Sequence, residues 1–157
     1  MILLEIDTYT EEDIEEHGEF LFGEESYPDV DEIHGLTMVF DEQGAKRILH
    51  AMKKLLKQKK IEIVLDKPAY WKDIWCVERL QINDVPFSQE IQESIVYKDG
   101  TLFFDFYFEA IDYTIYKLVE CIEQQNTFSP AEIIDLYYNN EEITLYGIFE
   151  SDREAGI

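Results

Sequence analysis

The chain has 157 residues, with 35 Asp and Glu against 13 Lys and Arg, a formal net charge of −22, 46% hydrophobic residues and 14% aromatic residues. A charge of that sign repels nucleic acid and anionic membrane surfaces, and the apolar content is too high for a disordered chain. The length fits one globular domain over 1–157. No apolar run approaches the ~20 residues of a membrane-spanning helix, and the opening MILLEIDTYTEED lacks the basic region of a secretory leader.

In chain order, ILLEID (2–7) reads as a strand. Thr8 or Thr10 then offers a helix N-cap: Thr8 with Glu11 has the strict capping-box spacing, Thr10 with Asp13 a looser one. Glu11, Glu12 and Asp13 in a first helical turn suit the helix dipole. This predicts a short helix to about His17 or Glu19, stopped by Gly18, and then a loop over 23–35. The stretch 10–35 holds eleven carboxylates and no Lys or Arg. An EF-hand reading of it fails, because the positions counted from Asp29 for a third ligand and the Gly hold Ile33 and His34.

LTMVF (36–40) reads as a strand leading into a helix over 41–60, whose Ile48, Leu49, Met52, Leu55 and Leu56 form one apolar stripe. IEIVL (61–65) is the next strand, and the three together make either a βαβ crossover or an antiparallel return. Ten of the thirteen bases fall within 46–79, a basic block in an acidic chain. Residues 66–75, with Pro68 and two Trp, read as a loop or one helical turn, and 75–84 as a strand. Residues 94–108 read as a hairpin about Asp99-Gly100. In its second strand Phe104, Phe106 and Phe108 share a core face, while Phe103, Asp105 and Tyr107 share the other.

A helix follows over about 110–124. Ser129-Pro130-Ala131-Glu132 carries a cap, a Pro at the first helical position and a capping-box Glu, predicting a helix through IIDLYY. ITLYGIF (143–149) is a last strand. The fold class expected is α+β, a mixed, mainly antiparallel sheet of about six to seven strands with three to four helices packed on it. The segments 36–58 and 102–124 share a strand-then-helix plan with poor residue identity, a faint sign of an internal repeat.

No phosphate-cradling glycine motif, nucleophile elbow, zinc-protease or kinase signature is present. The reading is therefore not an enzyme, with no cofactor and no metal site. Cys76 and Cys121, isolated in apolar surroundings, read as reduced thiols, which suits a cytoplasmic location. The function expected is that of a non-catalytic acidic inhibitor of the immunity-protein type. It would bind and neutralise a basic protein partner, such as a bacterial toxin nuclease whose phosphate-binding cleft must be basic. The alternatives are a DNA-mimic inhibitor of a nucleic-acid-binding enzyme, a general interaction domain of unknown partner, and an enzyme with a dispersed site. The partner-binding residues expected are Glu11, Glu12, Glu15, Glu16, Glu24, Glu25, Asp29, Asp31 and Glu32 as steering charges. Tyr27, Tyr107, Tyr137 and Tyr138 are the expected aromatic anchors.

Overall fold

A computed structural model of the protein describes residues 1–9, 32–90, 92–124 and 131–150. Within them the chain runs β1 (Ile2–Thr8), β2 (Ile33–Phe40), α1 (Glu42–Gln58), β3 (Lys60–Trp71), β4 (Trp75–Asp84), β5 (Ile95–Lys98), β6 (Thr101–Phe106), α2 (Phe108–Gln124), β7 (Ala131–Tyr138) and β8 (Glu141–Phe149). The strands form two four-stranded sheets, ordered β1-β2-β8-β7 and β3-β4-β6-β5.

Each sheet consists of two antiparallel strand pairs joined through a parallel central pair. β2 lies parallel to β8 from Gly35↔Thr144 to Phe40↔Phe149. β4 lies parallel to β6 from Arg79↔Thr101 to Asp84↔Phe106. Among the described residues the order is therefore ββαββ twice, and each sheet combines the first antiparallel pair of one half with the last antiparallel pair of the other. Neither half owns a complete sheet. The strand-then-helix plan noticed in the sequence is the centre of this twofold arrangement. Leu36, Met38 and Phe40 correspond to Leu102, Phe104 and Phe106, all buried. Gly44, Ala45, Ile48, Met52 and Leu55 of α1 correspond at the same spacing of 66 residues to Ala110, Ile111, Thr114, Leu118 and Cys121 of α2, and these are the buried residues of the two helices.

The edges of the two sheets meet at two seams. At one, the Ile2 amide donates to Asp66 Oδ2 at 2.7 Å, tying β1 to β3. At the other, β5 lies against β7. The two helices pack on one another, and α1 also packs on β3. One continuous cluster of buried apolar side chains fills the space enclosed by both sheets and both helices.

Local chemistry explains the elements. Asp41 caps α1 by accepting the Gly44 amide at 2.8 Å, and Lys59 closes it in the left-handed region with its N–H on Leu55 O at 2.9 Å. Asp99 and Gly100 (φ 47° and 80°) turn the β5–β6 hairpin. Asn139 and Asn140 (φ 52° and 64°) turn the β7–β8 hairpin in the same way.

The expected single sheet of six to seven strands with three to four helices is overturned: there are two sheets of four, and two helices among the described residues. The helix expected from Ser129 through IIDLYY is strand β7 from Ala131 onward. A bulge between Glu132 and Ile134 lets the adjacent Ile133 and Ile134 both face the core, which imitates a helical stripe. The loop expected over 66–75 is mostly β3, which continues to Trp71 before a turn at 72–74. Pro68 fits because β3 is an edge strand and its pairing with β4 shifts between Val64 and Ala69. The loop expected to reach residue 35 gives way to β2 at Ile33. β2 and β3 lie in different sheets, so they form neither a βαβ unit nor an antiparallel return. Phe104 and Phe106 are core residues, but Phe108 opens α2 and is 56% exposed. The helix expected over about 11–19 lies outside the described residues. Among those residues no helix is long and apolar enough to cross a membrane.

Candidate functional site

The β5–β7 seam carries a cleft. β4 continues its pairing for one step, with Val85 N donating to Phe106 O at 2.8 Å. Pro86 then has no N–H to continue the ladder, and Phe87 projects outward, 62% exposed. Its ring meets Tyr107 edge to face, with centroids 5.1 Å apart and planes at 76°. The return of this loop is stitched across the seam. Ser94 N donates to Tyr137 O at 3.0 Å, and Tyr137 N donates to Ser94 Oγ at 2.9 Å. Glu93 accepts the amides of Asn139 and Asn140 at 2.6 and 3.4 Å, fixing the loop to the β7–β8 turn.

Between loop and seam lies a cavity of about 300 Å³. Its aromatic walls are Phe87, Tyr107 and Tyr137. Its acids are Glu90, Glu93, Asp105 and Asp135, and among the described residues no Lys or Arg lines it. Asp135 accepts the Thr144 hydroxyl at 2.7 Å and Asp105 accepts the Asn83 amide at 3.3 Å, so two of the acids are held in place by neutral donors. The Tyr137 phenol is pushed above its ordinary pKa by loss of water and by the nearby Glu142 and Asp135 carboxylates. Carboxylates that accept only neutral donors keep acceptor capacity for an ammonium or guanidinium, and ring faces add cation–π attraction. Across the Val85–Phe87 segment a second hollow, about 610 Å³, is bordered by Leu56, Phe108 and Glu109. There Lys59 already pairs with Asp84 at 3.1 Å.

The expected site residues divide. Tyr107 and Tyr137, 30 positions apart in the chain, line the same cleft. Tyr138 points the other way along β7 and packs on Trp71 and Trp75, with centroids at 6.2 and 5.3 Å, so it is a half-buried packing residue and not a free anchor. Glu32 stands apart from the cleft, in a group with Tyr9 and Glu141. There Tyr9 N donates to Glu32 O at 3.1 Å, and the Tyr9 ring lies on His34 at 4.7 Å. Glu11, Glu12, Glu15, Glu16, Glu24, Glu25, Tyr27, Asp29 and Asp31 lie outside the described residues.

The expectations did not include Phe87, Glu90, Glu93 or Asp135. A signal for Phe87 was available: an aromatic directly after a strand-ending Pro and before the polar run Ser88-Gln89-Glu90. The acids gave none, since any acidic position looks alike in a chain this charged. Among the described residues no group of three or more His, Cys, Asp or Glu is placed to hold a metal ion. Cys76 and Cys121 are thiols outside any disulfide, Cys121 buried and Cys76 half-buried. No protein-family model matches the chain, and no curated protein or solved structure matches it either.

Proposed function

We propose that the chain is a non-catalytic acidic binding protein that captures a basic protein partner in the Phe87–Tyr107–Tyr137 cleft. The observation that carries this reading is the cleft's lining of three aromatic rings and four carboxylates, with no base among the described residues. Aromatic side chains in a recess supply desolvated anchors, and carboxylates steer and pair with Lys or Arg. The partner class that fits best is a toxin nuclease, because such an enzyme concentrates positive charge where it binds phosphate. The protein would then act as an immunity-type inhibitor in the cytoplasm, where thiols such as Cys76 and Cys121 stay reduced. A DNA-mimic reading has less support. A mimic needs a continuous acidic track, whereas Lys46, Arg47, Lys53, Lys54 and Lys57 are exposed along α1.

The test is co-purification and stopped-flow binding with the product of the neighbouring gene, and with an arginine-rich peptide as a simpler probe. The triple variant Glu90→Gln, Asp105→Asn, Asp135→Asn should slow association about tenfold at low salt and flatten its salt dependence. Phe87→Ala should speed dissociation, with a loss of about 2 kcal/mol. Failure of the wild-type chain to bind either probe would sink the proposal.

A further inference from the structure

The helix layer is a second surface, and the twofold plan of the fold shows what is unusual about it. α1 and α2 bury matched positions, and their outward positions match as well. At those outward positions the charges are opposite. Lys46, Lys54 and Lys57 of α1 correspond to Asp112, Glu120 and Glu123 of α2, at the spacing of 66 residues that relates Phe40 to Phe106. Of these, Lys46 already pairs with Glu42 at 3.7 Å and the half-buried Glu120 with Lys117 at 3.6 Å, so Lys54, Lys57, Asp112 and Glu123 are the charges left facing outward. Where α1 has Arg47 and His50, α2 has Tyr113 and Tyr116, which are 42% and 64% exposed. In a chain with 35 acids and 13 bases, Lys53, Lys54 and Lys57 stand exposed, and no ion pair involves them among the described residues. The layer is thus one basic stripe beside one acidic and aromatic stripe, since α1 and α2 pack directly on each other and the one base of α2, Lys117, is paired within its own helix with Glu120.

We propose that two copies of the chain associate through this layer, α1 of each copy lying on α2 of the other. A two-fold axis running along the layer between the helices brings basic stripe to acidic stripe twice, so the surface is its own complement. Any other partner would need the same divided charge, which a second copy has by construction. The rings of Tyr113 and Tyr116 supply apolar area for the lysine stems to cover, with the ammonium groups near ring faces and carboxylates. The net charge of −22 opposes association at long range, but salt screens that repulsion beyond about 8 Å at physiological strength, while contacting pairs are screened less.

Sedimentation equilibrium of the full chain at physiological salt tests this. A dimer of the 18.6 kDa chain is expected below about 1 mM. One variant carries Lys53→Glu, Lys54→Glu and Lys57→Glu; a second carries Glu109→Lys, Asp112→Lys and Glu123→Lys. Each should weaken its own dimer about a hundredfold, because three contacts turn repulsive on both sides of the axis. Mixing the two should restore a dimer containing one copy of each, since acidic α1 then meets basic α2 and the reverse. Tyr116→Ser, at an exposed position that leaves the charges untouched, should weaken the wild-type dimer as well. A monomer at about 1 mM overturns the proposal. So does a dimer that the variants leave unchanged, or a failure of mixing to restore it.

Discussion

Ser94 and Tyr137 exchange two hydrogen bonds across the seam between the sheets, Ser94 N to Tyr137 O at 3.0 Å and Tyr137 N to Ser94 Oγ at 2.9 Å. The second needs a side-chain oxygen. Ser94→Ala leaves the Tyr137 amide without its acceptor in a half-buried position, which costs about 1–2 kcal/mol. Urea unfolding should show that loss, and hydrogen exchange should show faster exchange at the Tyr137 amide than elsewhere in β7. Because Tyr137 is a wall of the cleft, binding of a basic partner should weaken in parallel. Unchanged exchange at Tyr137 would mean that other contacts hold the seam.

Gly44 and Ala110 occupy the same position in the two helices, yet only one of them can be alanine. A Cβ on Gly44 would run into the Met1 carbonyl and press on Phe40 Cβ at 3.0 Å. The start of the chain covers α1 here, with Asp41 N bonded to Met1 O at 3.3 Å. In an open helix Gly→Ala would stabilise by up to about 1 kcal/mol. Here Gly44→Ala should destabilise by about 2 kcal/mol as backbone yields to backbone. Thermal unfolding decides the sign.

Asp41 and Asp66 both face the N-terminal ammonium, at 2.8 and 3.5 Å. For Asp41, loss of water opposes the charge, but the ammonium and the Gly44 amide outweigh it and hold the carboxyl below its usual pKa. For Asp66 the Ile2 amide leads, loss of water opposes, and the ammonium and Arg47 add to the lowering. A lowered pKa stabilises the fold at pH above the unfolded value, about 4, and the contribution is lost as pH falls through the folded value. Stability should therefore drop on acidification below about pH 4. Asp41→Asn keeps the helix cap and removes the charge. It should cost about 1 kcal/mol at pH 7 and make the acid loss shallower. Urea midpoints at pH 7 and at about pH 3 check this; an equal acid loss in both proteins would assign it to other carboxylates.

Reading the sequence succeeded where a local rule carried the information. The α1 stripe, the Asp99-Gly100 hairpin and the span of α2 need only periodicity or a turn dipeptide. It failed where a local signal competed with a distant one. The capping pattern of Ser129 to Glu132 is a sound helix start taken alone, but Asn139-Asn140 turns the chain so that β7 pairs with β8. The division into two sheets could not be read, because strands adjacent in sequence, β2 and β3, part company while β2 pairs with β8, more than a hundred residues away. The repeat was faint for a physical reason. Burial requires matching apolar positions, not matching residues, so Ile48 can face Thr114 and Leu55 can face Cys121 across the relation. Of the cleft, only the two tyrosines stood out, since acids are everywhere in this chain.

Glu141, at the start of β8, shares its surroundings with Glu32 and Tyr9. Its carboxyl is pushed above the usual range, first by loss of water and then by the hydrogen bond and charge of Glu32. A raised pKa contributes stability that is fully present below the unfolded value, about 4.3, and is lost as pH rises through the folded value. At neutral pH the pair is therefore a net strain on the fold. Glu141→Gln removes one of the two like charges while keeping a group that can donate to Glu32. Glu141 is exposed and water screens the pair, so the substitution should raise stability by at most about 0.5 kcal/mol at pH 7 and change little at about pH 3, where the native carboxyl is already protonated. The Tyr9 phenol, held above its ordinary pKa by loss of water and by Glu141 and Glu32, should titrate closer to that value in the variant. Urea unfolding at the two pH values and ultraviolet titration of the tyrosines measure both effects. A variant that is less stable at pH 7 would mean that the Glu141 carboxylate is held by a favourable contact and not strained by its neighbour.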